Sequence, residues 1–229
     1  MTQSHGTRVE PPPRPSAVKG MVKAVLRLVA LLVVSPVLVG FWINSCLIGR
    51  NRALESASQL LSLLPGVSGQ YLRRAFLQRV LAQCHSTVLV EFGTIFSQSG
   101  AVLDENVYVG PRCILGLVHL EKDVLIASGV QIPSGGKTHS FNDPTRPIRE
   151  QGGERRVVTV GEGAWVGAGA IILADVGKGT IVAAGAVVTK ALPENVIAAG
   201  VPGKVIRPRF DAPSEPEPSP TSPASGGAC

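Results

Sequence analysis

Aromatic residues make up only 4% of the 229-residue chain, and charged residues only 17%. So few large rings disfavour an ordinary aromatic-centred core, while 26 glycines and an abundance of Val, Ile and Ala favour thin, regular layers. The four cysteines, Cys46, Cys84, Cys113 and Cys229, form no C-x-x-C and no paired spacing. That argues against a disulfide framework or a zinc site and for a reducing compartment. Acidic residues are the minority, 16 against 22 Lys and Arg, giving a formal charge of +6. Such a balance suits an anionic partner, lipid headgroups or a nucleotide cofactor. No basic run interleaves with aromatics, so no nucleic-acid partner is expected.

Charge is missing altogether from Leu28 to Gly49, 22 residues. A straight helix of that length is roughly 33 Å long, enough for a hydrocarbon core of about 30 Å. Basic residues flank this run, with Arg8, Arg14, Lys19, Lys23 and Arg27 before it and Arg50 and Arg52 after it. Inside it stands Ser35-Pro36. Proline removes an amide donor and frees the carbonyl of Leu32, which the Ser35 hydroxyl is placed to satisfy. A single span would translocate the more basic N-terminal flank, against the positive-inside bias. A bend at Pro36 would leave both flanks on one side.

Beyond this segment (19–50), "NRALESASQLLSLLPG" and "SGQYLRRAFLQRVL" read as linker helices within 51–85. The second places Leu72, Phe76, Leu77 and Val80 on an apolar arc, interrupted by Arg73, with Arg74, Gln78 and Arg79 opposite. It is a candidate interfacial helix, or equally a helix packed on the following domain with a solvated Arg face. The Pro-rich ends, 1–18 and 209–229, have the composition of disordered segments and carry no assigned chemistry.

From Val88 the pattern changes. Val90 and Phe96, Leu103, Val109 and Leu115, Leu120, Ile126 and Ile132, Val160, Val166 and Ile172, then Val176, Val182 and Val188 recur mostly six apart. Small or β-branched residues stand four later (Ala164, Ala170, Thr180, Ala186), and Gly161, Gly167 and Gly177 follow their aliphatic neighbours directly. Neither a helix nor an ordinary strand has this period. A parallel β-helix does: each unit is one short strand and a corner, three units close a triangular coil, and aliphatic side chains fill the interior. Fourteen units imply four to five coils, with the glycine after each aliphatic residue assigned to the tight corner.

The period fails once at length, between Ile132 and Val160, in "PSGGKTHSFNDPTRPIREQGGERR". A long irregular segment on so minimal a scaffold is a candidate functional loop (133–158). It holds His139, beside Ser140, Asn142 and Asp143, whose imidazole suits a general base. His85, His119 and His139 lack a close pair such as H-x-x-x-x-H, so no metal is assigned. His119 occupies a corner position normally given to a small residue.

Hexapeptide repeats of this form, over residues 88 to 208, resemble the left-handed β-helix acyltransferases. Among these it resembles the galactoside, maltose and xenobiotic (virginiamycin and chloramphenicol type) O-acetyltransferases. Carrying it are His139 in the loop, "GEGAWVGAGA" in place of the V-W-I-G unit, and "GAVVTKALPENVIAAGVPGKVIR" as the C-terminal signature. The resemblance implies an all-β left-handed parallel β-helix, against the usual right-handed crossover, with an N-terminal helical membrane anchor here. It further implies an acetyl-CoA-dependent O-acetyltransferase that works as a homotrimer. In that frame His139 is the catalytic base and Trp165 flanks it. Ala168 and Ala184 offer backbone groups to the pantetheine arm of coenzyme A, and Thr189, Lys190 and Arg207 lie near its phosphates. The Ser-Pro break resembles the re-entrant anchor of monotopic phosphoglycosyl transferases, which implies a re-entrant hairpin, with a kinked single span as the alternative. Because coenzyme A thioesters are cytosolic, the catalytic domain is expected on the cytoplasmic face of the inner membrane. The loop does not reproduce the acceptor-binding residues of the sugar or antibiotic enzymes, and "ILADVGKG" is two residues shorter than the usual corner. An acceptor held at the membrane, such as a lipid-linked saccharide of a capsule or exopolysaccharide, follows from location. A soluble small-molecule acceptor and a non-catalytic membrane scaffold are the alternatives.

Overall fold

The computed structural model describes residues 17–210. Both Pro-rich termini, with His5, Arg8, Arg14 and Cys229, lie outside the described residues apart from the few at their inner edges. Three helices precede the β region: α1 (Ala17–Ile48), α2 (Arg50–Ser62) and α3 (Gly66–Val80). Strands of two to five residues follow and wind into stacked coils. The first coil has β1 (Gln83–Cys84), β2 (Leu89–Val90) and β3 (Ile95–Phe96). The second has β4 (Val102–Leu103), β5 (Tyr108–Val109) and β6 (Ile114–Leu115), and the third β7 (Val118–Leu120), β8 (Leu125–Ile126) and β9 (Gln131–Ile132). The loop follows, then β10 (Val158–Val160), β11 (Trp165–Val166) and β12 (Ile171–Ile172). A bridge at Val176, β13 (Ile181–Val182) and β14 (Val187–Val188) make the fifth coil. A bridge at Leu192 and β15 (Val196–Ala199) begin the sixth, and β16 (Lys204–Pro208) closes the sheet antiparallel to β15.

Parallel pairing between successive coils builds three sheets, β1-β4-β7-β10, β2-β5-β8-β11-β13-β15 with β16 at its edge, and β3-β6-β9-β12-β14. Every aliphatic residue of the six-residue period points inward and is buried, from Val90 to Val188. The small residues Ala164, Ala170, Thr180 and Ala186 are buried at the corners. Thr180 is accommodated because its hydroxyl donates to Pro193 O (2.6 Å) and accepts from Val196 N–H (3.3 Å), leaving no unpaired buried polar atom.

The structure corrects the expected geometry in three ways. There are about six turns rather than four to five, because Cys84, Leu192 and Ala198 continue the inward columns in register with Leu103, Val176 and Val182. The solenoid therefore starts at Gln83, ahead of Val88, and Arg209 still belongs to it, its Nη1 donating to Gly179 O (2.8 Å). The glycines that follow the aliphatic residues are not the tight-turn residues. Positive φ falls two residues later, at Gly163, Gly169, Gly179 and Gly185. Gly161, Gly167 and Gly177 are required for another reason: a Cβ there would stand 2.5 Å from a backbone atom of the next coil.

The helices close the first coil. Leu54, Leu61, Phe76, Leu77 and Val80 are buried against it, and Ser58 Oγ accepts from Phe96 N–H (2.9 Å). Arg73 and Arg74, expected to interrupt the apolar arc and to lie opposite it, are both buried. The reason is donor demand at the helix end and sheet edge. Arg73 donates to Leu61 O, Leu64 O and Val90 O at 3.2, 2.7 and 3.0 Å, and Arg74 Nη1 to Val88 O at 3.2 Å.

Helix α1 runs unbroken through Pro36. Its Ser35 hydroxyl donates to Leu32 O at 2.7 Å, the carbonyl that proline leaves without a partner. Consequently the expected hairpin at Ser35-Pro36 is absent and the helix continues. Its stretch Ala24–Ile48 is long and apolar enough to cross a membrane by length and composition. One face packs on α2 and α3 through Ala30, Val34 and Phe41, with the Phe41 and Phe76 rings edge to face at 5.7 Å.

Candidate active site

The loop leaves the solenoid at the corner between β9 and β10. Its two arms pair: Arg156 N–H donates to Ser134 O, Glu154 N–H to Lys137 O and Ser140 N–H to Gly152 O, at 3.0, 2.8 and 2.9 Å. Gly153 is needed there, since a Cβ would run into Thr138 O. Around the tip, Gln151 bonds both the N–H and the C=O of Asp143 and the carbonyl of Arg146. At the base, Ser134 is buried and its Oγ accepts from Leu117 N–H (2.7 Å). The loop is thus a braced arm on the solenoid edge, not a slack connection.

His139 stands in the outgoing arm, exposed, with its side chain free of internal hydrogen bonds among the described residues. The neighbouring carboxylate does not hold it. Asp143 accepts instead from the Thr145 amide (2.9 Å) and hydroxyl (2.6 Å), and these bonds hold its carboxyl below the usual range. The imidazole is therefore not committed to the loop.

A cleft of about 510 Å³ opens at the root of the loop. Gly136, Lys137, Glu154 and Arg156 line it from the loop, Leu173 and Ala174 from the next coil, and Thr189 from the one after. Stacking brings Thr189 under the loop because both occupy the same corner of successive coils. Arg156 braces the wall by donating to both oxygens of Asp175 at 3.2 and 3.1 Å. Lys137, Glu154 and Arg156 were not singled out in the sequence; the only signal is their place just inside the two ends of the loop.

The other expected residues fall elsewhere. Lys190 follows Thr189 at the same corner and is exposed. Ala168 and Ala184 lie across the β12–β14 sheet at its opposite corner, one above the other, tied by Gly185 N–H to Ala168 O (2.8 Å). Both are exposed, and their own N–H groups have no internal acceptor among the described residues. Trp165 lies on the outer face of β11, half exposed between Leu125 and Ile181 in register. Arg207 is exposed on β16, its Nη1 donating to Pro208 O. Within one chain the seven residues therefore occupy two solenoid edges and one outer face rather than one pocket. His119 does not enter a cleft: it faces outward from β7, with Nε2 2.9 Å from Asp104 Oδ2.

No protein-family model matches the sequence, and no curated protein matches it. Solved structures do match. A maltose O-acetyltransferase from Clostridium difficile 630 is 23% identical with a TM-score of 0.59, the match covering 70% of this chain and 89% of that one. A galactoside acetyltransferase in complex with coenzyme A is 24% identical (TM-score 0.57; 70% and 82% covered). A hexapeptide-repeat-containing acetyltransferase from Vibrio cholerae is 18% identical (TM-score 0.60; 70% and 93%). The chain has the hexapeptide-repeat acetyltransferase fold. In this chain that fold carries a helical cap, with a long apolar helix, over its first coil.

Proposed function

We propose that the chain is a membrane-associated acyltransferase that moves the acetyl group of acetyl-CoA to a sugar hydroxyl. The observation that carries this reading is the single interruption of the repeat: an otherwise regular solenoid extends one braced loop, bearing a free histidine, over a cleft that Thr189 lines. The acceptor hydroxyl attacks the thioester carbonyl while His139 takes its proton. The tetrahedral oxyanion collapses with loss of the coenzyme A thiolate, which recovers the proton from the imidazolium. Backbone amides aimed at the oxyanion lower the barrier. The unpaired N–H groups of Ala168 and Ala184 suit the amide carbonyls of a pantetheine arm, and Lys190 and Arg207 supply cations for the cofactor phosphates. Trp165 would flank the histidine.

These groups lie on separate edges of one solenoid, which supports a site completed between neighbouring copies in a homotrimer. The outward residues Leu89, Leu125 and Trp165, all partly exposed on one sheet, suit such a contact. Acetyl-CoA is cytosolic, so the solenoid faces the cytoplasm from the inner membrane, and an acceptor at that surface would be a lipid-linked saccharide, a capsule or exopolysaccharide precursor. Two bonds bear on topology. Arg27 Nη2 donates to Ser86 O (3.1 Å) and Arg50 Nη2 to Val80 O (3.0 Å). Both flanks of the apolar run are thereby tied to the same end of the solenoid, which favours α1 lying in one leaflet with both flanks cytoplasmic.

Calorimetric titration of the purified full chain with acetyl-CoA tests the cofactor site without knowledge of the acceptor. Micromolar binding is expected, weakened about tenfold in Lys190→Ala for one exposed charge-assisted contact. No binding by folded, trimeric protein would overturn the enzymatic reading and leave a membrane scaffold.

A further inference from the structure

We infer that the cleft between α1 and α3 holds the phosphate of an anionic lipid, with the hydrocarbon lying along the exposed flank of α1. This rests on the membrane seating proposed above but not on acyl transfer. The cleft, about 240 Å³, is lined by Arg27, Leu28 and Leu31 from α1 and by Tyr71, Arg74 and Arg79 from α3. Three arginines thus border one small space without a carboxylate among its lining residues, and none of the three is ion-paired among the described residues. Their internal bonds do not neutralise them. Arg74 donates to Val88 O and stacks 4.7 Å over the Tyr71 ring, and Arg27 donates to Ser86 O. Arg74 is also buried, and burial followed by the nearby Arg27 charge pulls its guanidinium below its ordinary value. Like charges gathered in a partly dry cleft repel, and an anion between them turns that repulsion into attraction. A phosphate monoester, with a charge near −1.5 to −2 and several acceptor oxygens, matches three donors far better than a zwitterionic head.

The apolar side of the cleft identifies the rest of the ligand. Leu28 lines the cleft and also begins an exposed stripe continued by Leu32 and Val39, which are 66% and 59% exposed. Spacings of four and eleven residues put these side chains on one helix face. Ser35 shares that face, but its hydroxyl is turned back to Leu32 O, so the stripe offers no free donor. A free phosphate would use the arginines alone; a lipid phosphate uses both surfaces, with its head where the charge-free run of α1 begins.

The test uses the full chain in detergent and native mass spectrometry, with dioleoyl phosphatidate and dioleoyl phosphatidylcholine as probes and inorganic phosphate as competitor. Arg27→Gln with Arg79→Gln is the informative variant, because both side chains are exposed and Arg79 makes no internal bond among the described residues; thermal melting checks that it folds. Expected are retention of one phosphatidate, little retention of phosphatidylcholine, and a loss of about tenfold or more in the variant. Equal retention of both lipids, or retention indifferent to the two substitutions, would overturn the site. So would displacement by inorganic phosphate at concentrations comparable to the lipid, which would mean a free-anion cleft. An alkaline carbonate wash of membranes separates the two levels. Release of the protein overturns the membrane seating itself, whereas a protein that stays in the pellet but retains no phosphatidate overturns the lipid site alone.

Discussion

Replacing Gly167 by alanine tests the stacking of the solenoid directly. An ideal Cβ at this position stands 2.5 Å from Ala184 N, 2.8 Å from Ala183 C and 2.8 Å from Val182 O, all backbone of the next coil. Ordinary contact begins at 3.4 Å, so the two coils must part locally by close to 1 Å out of a spacing of about 4.8 Å. The bonds that would stretch are Gly167 N–H to Val182 O (2.8 Å) and Trp165 N–H to Thr180 O (2.9 Å). Overpacking of this kind costs about 1–3 kcal/mol, and a weakened buried hydrogen bond adds about 1 kcal/mol, for a total of roughly 2–4 kcal/mol. In a domain of this size each kcal/mol moves Tm by about 2–4 °C, so a fall of roughly 5–15 °C is expected by circular dichroism. Gly163→Ala is the paired control. Gly163 has φ 64° but open space around its Cβ, so alanine meets only left-handed strain of about 1–2 kcal/mol. A larger loss at Gly163 than at Gly167, or no loss at Gly167, would refute the assignment of close coil contact to the first glycine and of the turn to the second.

Removing the loop imidazole in His139→Ala is expected to lower acetyl transfer by about 10²–10⁴-fold while leaving acetyl-CoA affinity unchanged in calorimetry; a fall in affinity with rate intact would reverse the role. An added N-terminal cysteine should stay unlabelled by an impermeant thiol reagent on intact cells, and labelling from outside would rule out seating in one leaflet. Burial pushes the Cys84 thiol from an ordinary 9.0 up to about 12. Because the folded state keeps this proton while the unfolded state loses it, the associated stability is full below about pH 9 and fades as pH rises toward 12. Melting curves across that window should decline less steeply in Cys84→Ala, and parallel declines would contradict the burial.

How much was legible in the sequence differs by element. Inward positions such as Val109, Ile126 and Val166 were readable because each coil imposes the same demand every six residues, and a demand repeated along the chain leaves a period. The loop was readable for the converse reason, as the place where the period stops. His139 was legible as a candidate by its position within it. The coil count fell short because Cys84, Leu192 and Ala198 fill the same columns without an aliphatic-glycine pair to announce them.

Other features belong to partners distant in the chain. Nothing local distinguishes Gly167, pressed against the next coil, from Gly169, which makes the turn; only stacking separates them. Arg74 looks like part of a polar face on α3, and Arg73 like a break in its apolar arc, until the carbonyls of α2 and of the first coil require donors from that side. Thr189 comes to the loop, and Ala168 and Ala184 to the opposite edge, by the winding of the solenoid. The chain's own pattern therefore determined the repeat, the layer and the loop, because those are set by local periodicity. The tertiary structure decided which side chains share a cleft, because that depends on coils meeting across many residues of sequence.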